Sequence, residues 1–200
     1  MIRVRPLALG GVIGPMTFVF TWAIAGASTS GYSPVDDAIS RLAAVHAPTQ
    51  TAMTIAFIVF GVGVIAFGLA LRATQEGPAW IAAVATGAST IGVAATPLDA
   101  LSSDALHGAF ATLGYATLVS VPLLSARPLA RSGRPGWARC AWILGGCAAG
   151  CLVASTIGPA NGFWQRAGLL FGDVWIVARA VDLCIRTSAT PEESTAEATG

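Results

Sequence analysis

The sequence predicts an all-α protein: a polytopic transmembrane bundle of six helices, with a short amphipathic helix in the first outer loop. Three observations predict it. Hydrophobic residues make up 54% of the 200 and charged residues only 10%, where soluble domains carry roughly 25% charged. Six apolar stretches each approach the length that crosses a bilayer, about 20 residues at 1.5 Å rise. The basic residues also divide unequally between the two ends of those stretches.

The expected spans are 7–27, 51–71, 79–98, 106–126, 137–157 and 163–185, one domain over 1–186, with 187–200 a disordered cytoplasmic tail. The first follows Arg3 and Arg5 and is longer than the apolar run of a cleaved signal peptide, so it is read as a retained helix. Pro15 removes a backbone donor and can kink it. The second and third spans hold no charged residue, the fourth only His107 near its start, and the fifth Arg139. The sixth contains Arg166, Asp173, Arg179 and Asp182. Arg179, Asp182 and Arg186 are spaced to form a salt-bridged helix end that snorkels to headgroups. The pairs Gly10/Gly14, Gly146/Gly150 and Gly168/Gly172 read as packing seams.

The connections fix the expected orientation. All eleven basic residues are Arg. If the helices alternate, only Arg41 and Arg166 fall on one side, and the positive-inside rule then places both termini in the cytoplasm. Trp80 and Trp137 open helices at the inner interface, and Trp22, Tyr32 and Trp164 lie near the outer one, where amphipathic rings settle. The expected setting is a bacterial or archaeal plasma membrane, with the lipid bilayer as partner.

The first outer loop, 28–50, is long enough to hold structure. Ser33, Pro34 and Asp36 form a helix-start signature. Val35, Ile39 and Leu42 then repeat on one face, and Asp37 sits one turn from Arg41. An amphipathic helix is expected over 34–45, covering the helix ends as a plug or closing over a site as a lid.

The segment Gly31-Tyr32-Ser33-Pro34-Val35-Asp36-Asp37-Ala38-Ile39-Ser40 follows a Gly14-Pro15 helix, and Pro97-Leu98-Asp99 precedes His107-Gly108. Over about residues 8–185, these motifs resemble the prokaryotic six-helix membrane family catalogued as domain of unknown function 998. The resemblance implies an integral membrane protein of no established activity, with Tyr32, Ser33, Asp37, Ser40, Asp99 and His107 as its family-like positions. Members often carry a second His after the His-Gly pair; here Ala111 and Thr112 occupy that region.

The outer ends gather Asp36, Asp37, Ser40, Arg41, His46, Asp99, Asp104, His107, Gln165 and Arg166. The expected ligand pocket draws on Asp37, Asp99, His107, Gln165, Arg166 and Asp173, with Arg166 as a carboxylate or anion clamp. Asp104 is expected to cap the fourth helix. Asp173 lies about 15 Å into its helix, where an Asp costs roughly 2.5–3.5 kcal/mol to insert. It is expected to point inward and to bond with Thr17, Ser89, Thr90 or Thr117.

These residues suggest a non-enzymatic protein that binds or moves a small or lipid-like molecule, or supports a membrane complex. The alternative is an outward-facing intramembrane hydrolase with Ser40 as nucleophile, His107 as base and Asp99 as orienter. A net charge of +1 argues against nucleic acid. His46 and His107 are the only histidines, too few for a three-His metal site, so neither metal nor cofactor is expected. Cys140, Cys147, Cys151 and Cys184 read as small buried residues. Nothing in the sequence fixes the oligomeric state.

Overall fold

The computed structural model describes residues 4–100 and 104–188. The expected tail beyond Ser188 lies outside them. Six α-helices follow one another: α1 Val4–Ser28, α2 Gln50–Thr74, α3 Ala79–Ala95, α4 Asp104–Arg131, α5 Pro135–Ile157 and α6 Asn161–Ser188. There is no strand among the described residues. Helices α1, α2, α4 and α5 are long and apolar enough to cross a membrane, and α3 is a shorter apolar helix. This is a membrane-type helical protein.

Each helix packs on its neighbour in sequence, and α6 returns to α1, so the six close into a ring. A narrow contact between α4 and α6 crosses the ring, with α5 backing that seam. One end carries the starts of α1, α3 and α5. The other, the loop end, carries the 28–50 connection and the turns after α3 and α5.

Local chemistry sets several boundaries. Helix α3 stops at Ala95, because Pro97 disfavours helical backbone at Thr96. Helix α5 opens on Pro135, whose missing N–H costs nothing in a first turn. Asp104 is the first residue of α4, and its carboxylate accepts the N–H of Asp99 at 3.0 Å, closing the turn before the helix.

Glycine permits close approach where α1 crosses α2. A Cβ on Gly63 would stand 2.5 Å from the Gly10 carbonyl oxygen. Helix α2 meets α3 in the same way through Gly61 and Gly87, a seam the four-residue spacing rule missed. Leu152 and Leu118 fill the space above Gly168 and Gly172. Gly146 and Gly150 have nothing within 4 Å, so the expected α5 seam is not internal to this chain.

Two other expectations change. The amphipathic helix over 34–45 is a five-residue 3-10 helix, Ile39–Ala43, preceded by turns. Ser33 closes those turns instead of starting a helix: its carbonyl accepts from Asp37 N–H at 2.7 Å. Ile39, Leu42 and Ala43 insert into the bundle, whereas Val35 is exposed. The cysteines are not buried: Cys140 and Cys147 are exposed, Cys151 and Cys184 partly so. Cys140 and Cys147 lie on outward faces that suit small apolar residues, whereas Cys184 packs against the core and donates to the Arg5 carbonyl at 3.8 Å.

Candidate functional site

A cavity of about 60 Å³ lies toward the loop end, lined by α1, α2, α3, α4, α6 and the 3-10 segment. About 10–15 Å³ of such space holds one water, so it has room for several waters or a slender organic group. Phe18, Phe57, Phe60, Phe110 and Tyr115 line it with aromatic surface. Its polar fringe comes from Ser40, Thr86, Thr90, His107 and Gln165.

Two of those polar groups have settled orientations. His107 is 5% exposed, and its Nδ1 lies 2.7 Å from the Thr96 carbonyl. A carbonyl can only accept, so Nδ1 carries a proton, and in the neutral ring Nε2 is the acceptor. Gln165 accepts from the Ile39 N–H through Oε1 at 2.8 Å, and its Nε2 donates to the Tyr115 hydroxyl. It thereby ties α6 to both α4 and the roof of the cavity.

Arg166, the next residue, does a different job from the one expected. Its guanidinium donates to the carbonyls of Pro34 at 2.8 Å, Asp37 at 2.9 Å and Gly162 at 2.8 Å, and to the Tyr32 hydroxyl. It lies over the rings of Trp22 and Tyr32. Those contacts engage both terminal nitrogens and pin the loop, while Nε stays buried with no hydrogen-bond partner among the described residues. Burial pushes the Tyr32 phenol above its ordinary value, with the Arg166 charge pulling the other way.

The structure brings Ser40, His107 and Gln165 to one cavity and leaves the other expected residues outside it. Asp99 is exposed, in a left-handed backbone conformation, and pairs with Arg41 at 3.1 Å. The expected Asp37–Arg41 pair is therefore absent: Asp37 accepts the Ser33 N–H at 2.8 Å. Asp173 does point inward, at 4% exposure, but neither carboxylate oxygen has a hydrogen-bond partner. Thr90 bonds to Thr86, and Thr86 to Thr117 at 3.0 Å, so these hydroxyls serve α3 and α4 instead. The carboxyl of Asp173 lies one turn beyond Leu169, a cavity residue.

At the opposite end, Arg179 and Asp182 pair as expected, but deep in the structure: Arg179 is 2% exposed. Sequence reasoning missed the second partner, Arg134, bidentate to Asp182 at 2.6 and 3.0 Å. A turn arginine 48 positions away in sequence carries no periodic signal that could have found it. The aromatic lining was equally hidden, because Phe18, Phe57, Phe60 and Phe110 read as ordinary apolar span residues.

A family model described as protein of unknown function (DUF998) matches residues 12–182. No curated protein matches, and no solved structure matches.

Proposed function

Because the chain belongs to that family, whose description assigns no activity, we propose its function from the cavity: it binds a small or lipid-like molecule, presenting aromatic walls to an apolar portion and His107 Nε2 to a polar group. The single observation behind this is that five aromatic rings and His107, whose Nδ1 is already engaged by the Thr96 carbonyl, line one recess. Hydrocarbon held among the rings gains roughly 25 cal/mol per Å² removed from water. A hydroxyl or amide on the ligand then satisfies the imidazole. In this reading the helices form six crossings, the cavity faces outward, and both termini lie in the cytoplasm of a prokaryotic cell. The nine arginines on one side of the alternating spans support that orientation.

The hydrolase reading is weaker. Ser40 and His107 share the cavity, but the imidazole Nδ1 is bonded to a carbonyl and Asp99 is paired outside with Arg41. No carboxylate orients the histidine among the described residues.

Photolabelling with an octanol that carries a diazirine tests the proposal. Labels are expected on Phe57, Phe60 and Phe110, and Gly114→Leu should suppress them by filling the space. Gly114 has slack for this, since a Cβ there stands 3.6 Å from Ser89. Labelling confined to lipid-facing residues such as Ile143 and Ile157, unchanged in the variant, would remove the binding role.

A further inference from the structure

A second recess, of about 580 Å³, lies at the opposite end of the bundle, where α2, α4 and α6 finish. Its walls hold Arg131, Arg134, Arg179 and Arg186 against the single acid Glu76. Asp182 lies beneath them and is shared by two guanidiniums, those of Arg134 and Arg179. Among the described residues, Arg131, Arg134 and Arg179 alone outnumber the two acids, Glu76 and Asp182, so the local charge is positive. Arg134 and Arg179 both lie against one indole, each 5.1 Å from the Trp137 ring centre. Gln75 fixes Arg179 further, accepting at 3.2 Å while donating to Ser125 at 3.1 Å. Arg179 still holds a buried Nε with no hydrogen-bond partner.

We propose that this recess binds a phosphate-bearing anion. The geometry is that of a built site and not of loose surface charge. Two guanidiniums are immobilised by a carboxylate, an amide and an indole, so little side-chain entropy remains to be lost on binding. One carboxylate cannot neutralise both, and a partly buried surplus cation is costly until an anion completes it. Planar guanidiniums favour phosphate oxygens through paired charge-assisted bonds. Pro128, Leu129 and Leu183 add apolar wall beside the cations, which suits a headgroup still joined to its hydrocarbon. The same chemistry also fits a free phosphate compound, and the two sources are separable.

The full chain is placed in phosphatidylcholine nanodiscs, either doped with phosphatidylglycerol or supplied with inorganic pyrophosphate. Native mass spectrometry reads retained lipid, and the thermal midpoint reads pyrophosphate. Arg134→Gln and the exposed Arg131→Gln are compared with Arg127→Gln, an exposed arginine outside the recess. Selective phosphatidylglycerol retention that falls about tenfold in the recess variants, but not in the control, identifies a lipid headgroup. A midpoint shift with pyrophosphate that follows the same pattern identifies a soluble phosphate. Should Arg134→Gln fail to fold, Arg131→Gln alone decides. Absence of both effects, or an equal loss in Arg127→Gln, overturns the site, because surface attraction alone treats all three arginines alike.

Discussion

Replacing Arg166 by Met keeps much of the stem and removes every donor. Its guanidinium, 7% exposed, serves Pro34, Asp37, Gly162 and Tyr32. A hydrogen bond to a charged group contributes about 1.5–3 kcal/mol, and a buried carbonyl left bare costs about 1–3 kcal/mol. The terms do not add, because the Asp37 carbonyl keeps a long contact from Tyr32 at 3.4 Å and the loop can relax into water. A loss of about 3–5 kcal/mol is expected, the range for stripping one partner from a buried charged network. Arg166→Lys should recover only part of it, since an ammonium lacks the fork that spans two carbonyls. Denaturant unfolding in detergent micelles measures the loss, and hydrogen exchange at Asp37 and Ile39 locates it. A loss below about 1 kcal/mol with unchanged exchange would show that the loop is held by its apolar plug alone.

Other outcomes follow from the same packing. Tyr32 has its pKa raised by burial, so the unfolded chain releases this proton first as pH climbs above about 10. Stability is then full below that pH and lost as pH rises through the folded value; Tyr32→Phe should flatten this alkaline limb, and an unchanged limb would assign it elsewhere. Gly63→Val places side-chain atoms against the Gly10 carbonyl and should cost about 3 kcal/mol, the upper part of the overpacking range; a neutral thermal midpoint would mean that α1 and α2 can part freely. Asp173→Val removes a buried carboxyl with no partner and should stabilise by about 1–3 kcal/mol; a loss in thermal stability would reveal a partner for that acid.

The helices were legible because lipid solvent leaves a simple trace: long uncharged runs bounded by arginine and tryptophan. The site was legible only in part. Ser40, His107 and Gln165 stand at the loop end by helix arithmetic, and the cavity gathers them. Pairing across the loop was not legible. Asp37 and Arg41 have the spacing of a helical pair, but that spacing holds only if the segment is α-helical. Once Ile39–Ala43 winds as a 3-10 helix, Arg41 turns outward to Asp99 and Asp37 back to Ser33. The partners of Arg166 were hidden for another reason. They are mostly backbone carbonyls, which no residue pattern marks.

Gln165 and Arg166 show why the loop is a roof and not a mobile lid. Consecutive helical residues point about 100° apart, so one reaches the cavity and the other reaches toward α1, yet both hold the same loop. Gln165 takes the Ile39 N–H, and Arg166 takes the carbonyls of Pro34 and Asp37. The Phe163 N–H donates to the Val35 carbonyl at 2.8 Å, and on the far side the Val45 N–H donates to the Leu98 carbonyl at 2.9 Å. Lifting the loop would break these bonds together and expose the buried side chains of Ile39 and Leu42. Each net bond is worth about 1 kcal/mol and each buried aliphatic side chain about 1.5–3 kcal/mol. A concerted opening therefore costs a large share of the whole stability of a small protein. The loop thus stays closed over the ring-lined cavity in the folded protein.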